Sequence, residues 1–160
     1  MEITSQKHAV TRDDRTSWSR LIRDHDRIAE RCAGLVALLQ RREHNCAAAS
    51  RKLVELAVLV ADHLGVEDEV IDLTAIATEA DYAPETVAAM AEELATLRRE
   101  WRVYVAHWLP TIEPADWYEF KAESEAMLAR LTFQVQRESA LLYDDALRSG
   151  MIATGPVDLQ

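Results

Sequence analysis

Five residues that could do chemistry share one property: His25, His63, Glu67, Gln134 and Glu138 each occupy a step of a repeating pattern whose other steps are apolar. Imidazole nitrogens combined with carboxylate oxygens suit iron, manganese or zinc, and helical bundles commonly hold such ions in their cores. His63 with Glu67, and Gln134 with Glu138, are four residues apart. On a helix that spacing projects both side chains from one face, so each pair could offer two donor atoms to one point. His25, His63, Glu67 and Glu138 are the favoured metal ligands, and Gln134 is a weaker, neutral fifth. The competing reading is a hydrogen-bonded polar cluster that fixes how the helices are registered. Under either reading the residues must meet, because a buried carboxylate without a partner is strongly destabilising.

Four helical stretches are expected to position them. The first runs from about Ser17 to Gln40, with Trp18, Leu21, Ile22, His25, Ile28, Cys32, Leu35 and Leu39 at three- and four-residue steps. The second, from about Cys46 to Leu73, carries Ala49, Leu53, Leu56, Val60, His63, Glu67 and Val70 on one stripe. A linker over Thr74 to Ala83 leads to Pro84, a favourable first residue for a third helix because proline's missing N–H is not needed there. That helix extends to about Leu109 on the stripe Val87, Met90, Leu94, Leu97, Trp101, Tyr104 and Trp108, and Pro110 stops it. The fourth opens near Pro114 and reaches Arg148 before Gly150, with Trp117, Phe120, Ser124, Met127, Leu131, Gln134, Glu138 and Leu141 inward.

Short connections make sequential helices antiparallel neighbours, so the expected fold is all-α, an antiparallel up-down-up-down four-helix bundle. In that topology the start of helix one lies level with the ends of helices two and four, which is where the five polar residues fall. Residues 1–15 read as a flexible N-terminal arm, 16–150 as the bundle and 151–160 as a flexible tail.

Composition agrees with long helices in one domain. The 160 residues are 49% apolar, with only four glycines and four prolines. A formal charge of −10, without a basic block, argues against nucleic acid and anionic membrane surfaces as partners. There is no apolar run of the roughly 18 residues needed to span a bilayer, and MEITSQKHAVTRDDRTS has no signal-like apolar segment, so a cytoplasmic protein is expected. Cys32 and Cys46 lack C-x-x-C spacing and read as reduced thiols, Cys32 as a small core residue. No glycine-framed nucleophile, phosphate-cradling loop or dinucleotide fingerprint occurs.

With these residues in place, the sequence resembles the hemerythrin-like, or HHE, family over about Trp18 to Arg148. The resemblance is carried by LIRDHDRI around His25, HLGVEDEVI with His63 and Glu67, and QRESALLY with Glu138. It implies a four-helix bundle holding non-heme iron, usually two atoms. Two positions depart from the family pattern. Gln134 stands where helix four usually has a histidine, and helix three has Met90, Leu94 and Leu97 inward instead of histidine. The expectation is therefore iron held less firmly, one atom instead of two, or none. Glu93 is the substitute ligand on helix three if it is not simply a solvated face residue, and His107 is too far along that helix to take part. Trp101, Tyr104 and Trp108 read as core filling, with Tyr104 as a phenolate ligand the alternative.

The implied function is a metal-binding module that senses or binds iron, dioxygen, nitric oxide or peroxide. The alternative is a metal-free bundle acting as a protein-interaction or regulatory domain. A peroxide-consuming di-iron enzyme would need a fuller ligand set, so enzyme activity is not expected. The partners expected are a small diatomic ligand or peroxide, and either a second copy in a homodimer or a regulatory protein.

Overall fold

The computed structural model describes residues 12–70 and 73–150, with side chains placed for 18–65 and 75–150. Among these residues it is all-helical: α1 (Arg12–Leu39), α2 (Cys46–Val70), α3 (Leu73–Glu79), α4 (Pro84–Trp108) and α5 (Trp117–Arg148), with a 3-10 turn at Pro114–Asp116 leading into α5. No described helix is long and apolar enough to cross a membrane.

Local chemistry accounts for most of the boundaries. Asn45 caps α2, its Oδ1 accepting the Ala48 N–H at 3.0 Å. Pro84 is the first residue of α4, and the extended backbone at Leu109, one residue before Pro110, ends it. Gly150, at φ +76°, takes the left-handed position after α5. Two expectations are corrected. The first helix starts at Arg12, so residues 12–15 are not part of an arm. Their charged side chains show no apolar period, yet no glycine or proline interrupts the helix before Cys32. The expected linker over 74–83 is largely helical, being occupied by α3. Ile76 and Ala77 of α3 are buried against Leu21, Val87, Leu141 and Leu142, and this apolar contact is what a solvated linker would lack. The N-terminal residues 1–11, the tail 151–160 and residues 71–72, where the second helix was expected to continue to Leu73, lie outside the described residues.

Cross-helix pairs give the relative directions. Arg31 meets Glu55 at 2.8 Å and His25 meets His63 at 2.9 Å, so α1 and α2 are antiparallel. His25 pairs with Ser139 and Gln40 with Glu125, so α1 and α5 are antiparallel too. On the other side, Glu93 pairs with Arg137, Glu100 with Arg130 and Trp108 with Glu123, which makes α4 and α5 antiparallel.

The apolar interior falls into two parts. A large cluster runs from Ile28, Val60 and Leu97 through Leu131 and Val135 to the rings of Trp101, Tyr104, Trp108, Trp117 and Phe120. A smaller one gathers Leu21, Ile76, Ala77, Val87, Leu141 and Leu142. Along α1 the order is Leu21, His25, Ile28, and along α5 it is Leu131, Gln134, Glu138, Leu141. The buried polar residues therefore form a layer between two apolar ones.

Candidate metal centre

Each polar side chain is buried because its helix buries the whole stripe. His25 and His63 are 2% exposed and Glu138 3%. Turning any one outward would also rotate neighbouring leucines and valines into water. His25 Nε2 lies 2.9 Å from His63 Nε2 and 3.2 Å from Glu138 Oε2, and the imidazoles meet edge to face with ring centroids 4.5 Å apart.

A surrounding set of polar groups orients these three. His25 Nδ1 shares a 2.7 Å hydrogen bond with Ser139 Oγ, and His63 Nδ1 faces Asp24 Oδ2 at 3.8 Å. Gln134 Nε2 donates to Glu138 Oε1 at 3.0 Å. Arg137 in turn donates to Gln134 Oε1 at 2.6 Å and, through its other terminal nitrogen, to Glu93 of α4 at 2.8 Å. Burial by itself would push the Glu138 carboxyl up. Hydrogen bonds from His25 and Gln134, with the charges of His25 and His63, outweigh that and hold it below the ordinary glutamate value. Glu138 is therefore a carboxylate at neutral pH, the form that ligates.

The arrangement fits one metal ion. His25, His63 and Glu138 each offer a ligand atom, and the three atoms lie within 4.8 Å of one another. Donors about 2.1 Å from a common ion stand about 3.0 Å apart across the right angle of an octahedron and about 3.4 Å apart in a tetrahedron. The two short donor separations fall at that scale. Two histidines and one carboxylate form a recognised set for non-heme iron, and each imidazole has a polar group at its other nitrogen, as ligating histidines usually do. Among the described residues no second group of this kind occurs.

Three of the five expected residues thus converge as possible ligands. Gln134 is also in the layer, but its amide is engaged with Glu138 and Arg137, which makes it a positioning residue. Glu67 continues α2, but its side chain lies outside the described residues. α4 brings no donor: Leu94, Leu97 and Trp101 line a cavity of about 30 Å³ that also touches His63, Gln134 and Glu138. That space is about enough for one water-sized molecule. Glu93 is exposed and paired with Arg137, and His107 is exposed, packed edge-on against Trp108. The Tyr104 hydroxyl hydrogen-bonds Ser124 at 2.6 Å, and burial pushes its pKa up to about 12, so it remains a neutral phenol in the core. Sequence reasoning missed Asp24, Arg137 and Ser139. Each adjoins a candidate or lies three residues from one, but off the apolar stripe, so only packing against another helix gives it a role.

No protein-family model, curated protein or solved structure matches this chain.

Proposed function

We propose that the chain is a hemerythrin-like, up-down-up-down four-helix bundle of α1, α2, α4 and α5 that holds a single non-heme metal ion, iron above all. In this reading α3 is an added short helix over one end. The observation that carries the proposal is the convergence of His25 Nε2, His63 Nε2 and Glu138 Oε2 in a buried layer drawn from three helices. When bound, iron supplies a redox-active Lewis acid for which dioxygen, nitric oxide and peroxide are ligands. The protein's part is to hold and shield it. Ser139 and Asp24 orient the imidazoles, Gln134 and Arg137 orient the carboxylate, and Leu94, Leu97, Arg98 and Trp101 line the α4 side. Such a site suits binding or sensing better than turnover, because the ligand set is small and the adjoining space admits only a molecule of a few atoms.

Elemental analysis of freshly purified protein, followed by anaerobic titration with ferrous and cobaltous ions, tests the proposal. Binding of about one equivalent per chain is expected, with loss of binding in H25A and H63A. Two equivalents would overturn the single-ion assignment.

A second reading has an observation of its own. His25, His63, Gln134 and Glu138 already form a hydrogen-bonded chain with one another. A metal-free bundle serving as an interaction or regulatory domain would use that chain to fix helix register. Failure to bind any of the ions under anaerobic conditions would favour it.

A further inference from the structure

The side of α2 that faces away from the core carries a second apolar stripe. Ala47, Val54, Val58, Ala61 and Gly65 are exposed, Val54 by 43% and Val58 by 57%. At 100° per residue they lie opposite the buried stripe of Ala49, Leu53, Leu56, Val60 and His63. From Ala57 to Ala61 five successive residues are apolar, so this part of α2 is apolar around its whole circumference. Helices of that kind are normally covered on both sides.

Charge identifies what covers it. Arg51 and Asp62 lie on one edge of the outer stripe, both exposed, and neither forms an ion pair with another described residue. Glu55, on the same edge, is already held by Arg31 at 2.8 Å. Now let a second α2 run antiparallel across the stripe, with a two-fold axis at the level of residue 56. Val54 then faces the partner's Val58, and Ala47 faces the partner's Gly65, where small side chains let the helices approach. Arg51 comes beside the partner's Asp62. Because the axis is two-fold, the apolar contact and the ion pair each form twice, as in an isologous interface. We infer that this face of α2 is a dimerisation surface whose occupant is the α2 of a second copy of the chain, paired antiparallel through Val54 and Val58 and registered by Arg51 and Asp62. The inference does not depend on metal binding.

The test is molar mass by light scattering across a concentration series, with sedimentation equilibrium for affinity. The wild-type chain is expected to be a reversible dimer, and V58D a monomer with unchanged helical circular dichroism. R51D and D62R place like charges together, and each should weaken dimerisation by about tenfold. The double variant R51D/D62R restores opposite charges in the same register and should recover the wild-type affinity. These two positions are solvated, so their substitution leaves the fold intact even if V58D does not. A wild-type chain that stays monomeric throughout, or a double variant no tighter than the single ones, overturns the inference.

Discussion

At the scale of residues, the buried polar groups differ in what their loss would do. His63 contributes a nitrogen to the layer and fills space among apolar neighbours, whereas His107 is exposed on α4. H63A should therefore lower stability by about 2 kcal/mol and abolish metal binding, while H107A should leave both unchanged within about 0.5 kcal/mol. Urea denaturation and metal titration of the two variants check this, and equal effects would remove His63 from its assigned role. Tyr104 gives a pH signature. Its folded pKa is raised from 10.0 to about 12, so its contribution to stability is complete below pH 10 and disappears as pH rises towards 12. Y104F should begin less stable by about 1 to 2 kcal/mol, because Ser124 loses its partner in a fully buried position. Above pH 10 it should then lose stability less steeply than the parent, as urea midpoints measured at several alkaline pH values would show. What made His25, His63, Gln134 and Glu138 legible in the sequence was contrast: a polar residue on an apolar stripe is visible. Asp24, Ser139 and Arg137 had no such contrast, since polar residues beside a stripe are ordinary, and only the neighbouring helices turn them into supports.

At the scale of elements, periodicity revealed the long helices and missed what is too short or too charged to have a period. The stripes of α2, α4 and α5 each run through several turns, and Pro84, Pro110 and Gly150 mark three of their ends. The seven residues of α3 make barely two turns, too few to set a period, so Ile76 and Ala77 could not declare a helix without the Leu21, Val87 and Leu141 surface that receives them. The start of α1 was hidden by its run of charge. The end of α3 is held by backbone hydrogen bonds from Tyr82 N–H to Ala77 and from Asp81 N–H to Thr78, with Asp81 at φ +61°. This is a Schellman closure with aspartate in the position that glycine usually takes. D81A should cost about 1 kcal/mol, although alanine is the better helix former, because a short polar side chain eases the left-handed conformation through local hydrogen bonding and an alanine methyl cannot. N45A should cost a similar ~1 kcal/mol by removing the cap of α2. Thermal melts would separate these end effects from packing effects, since neither side chain reaches the core.

At the scale of the whole molecule, the polar layer divides one apolar interior into two, and its presence there needs a reason beyond stability. Replacing a buried polar network with apolar residues of similar size commonly leaves a protein as stable or makes it more so, whereas removing one member alone is damaging. The quadruple substitution H25L/H63L/Q134L/E138L would join the Leu21–Leu141 cluster to the Ile28–Leu131 cluster through a continuous core. If the layer exists to hold a metal ion, this variant should melt cooperatively at a temperature equal to or above that of the metal-free parent. It should also bind no ion, and its melting temperature should no longer rise when iron is added. If the layer exists to fix register, the same variant should keep its helical content but lose the sharp near-ultraviolet dichroism of its buried tryptophans and the cooperativity of its melt, because leucines slide past one another where hydrogen bonds did not. Trp101, Trp108 and Trp117 are all buried in the larger cluster, so the reporter is native to the chain. A cooperative, metal-blind variant with native near-ultraviolet dichroism is the outcome expected here, and a loosely packed one would instead assign the layer to the architecture.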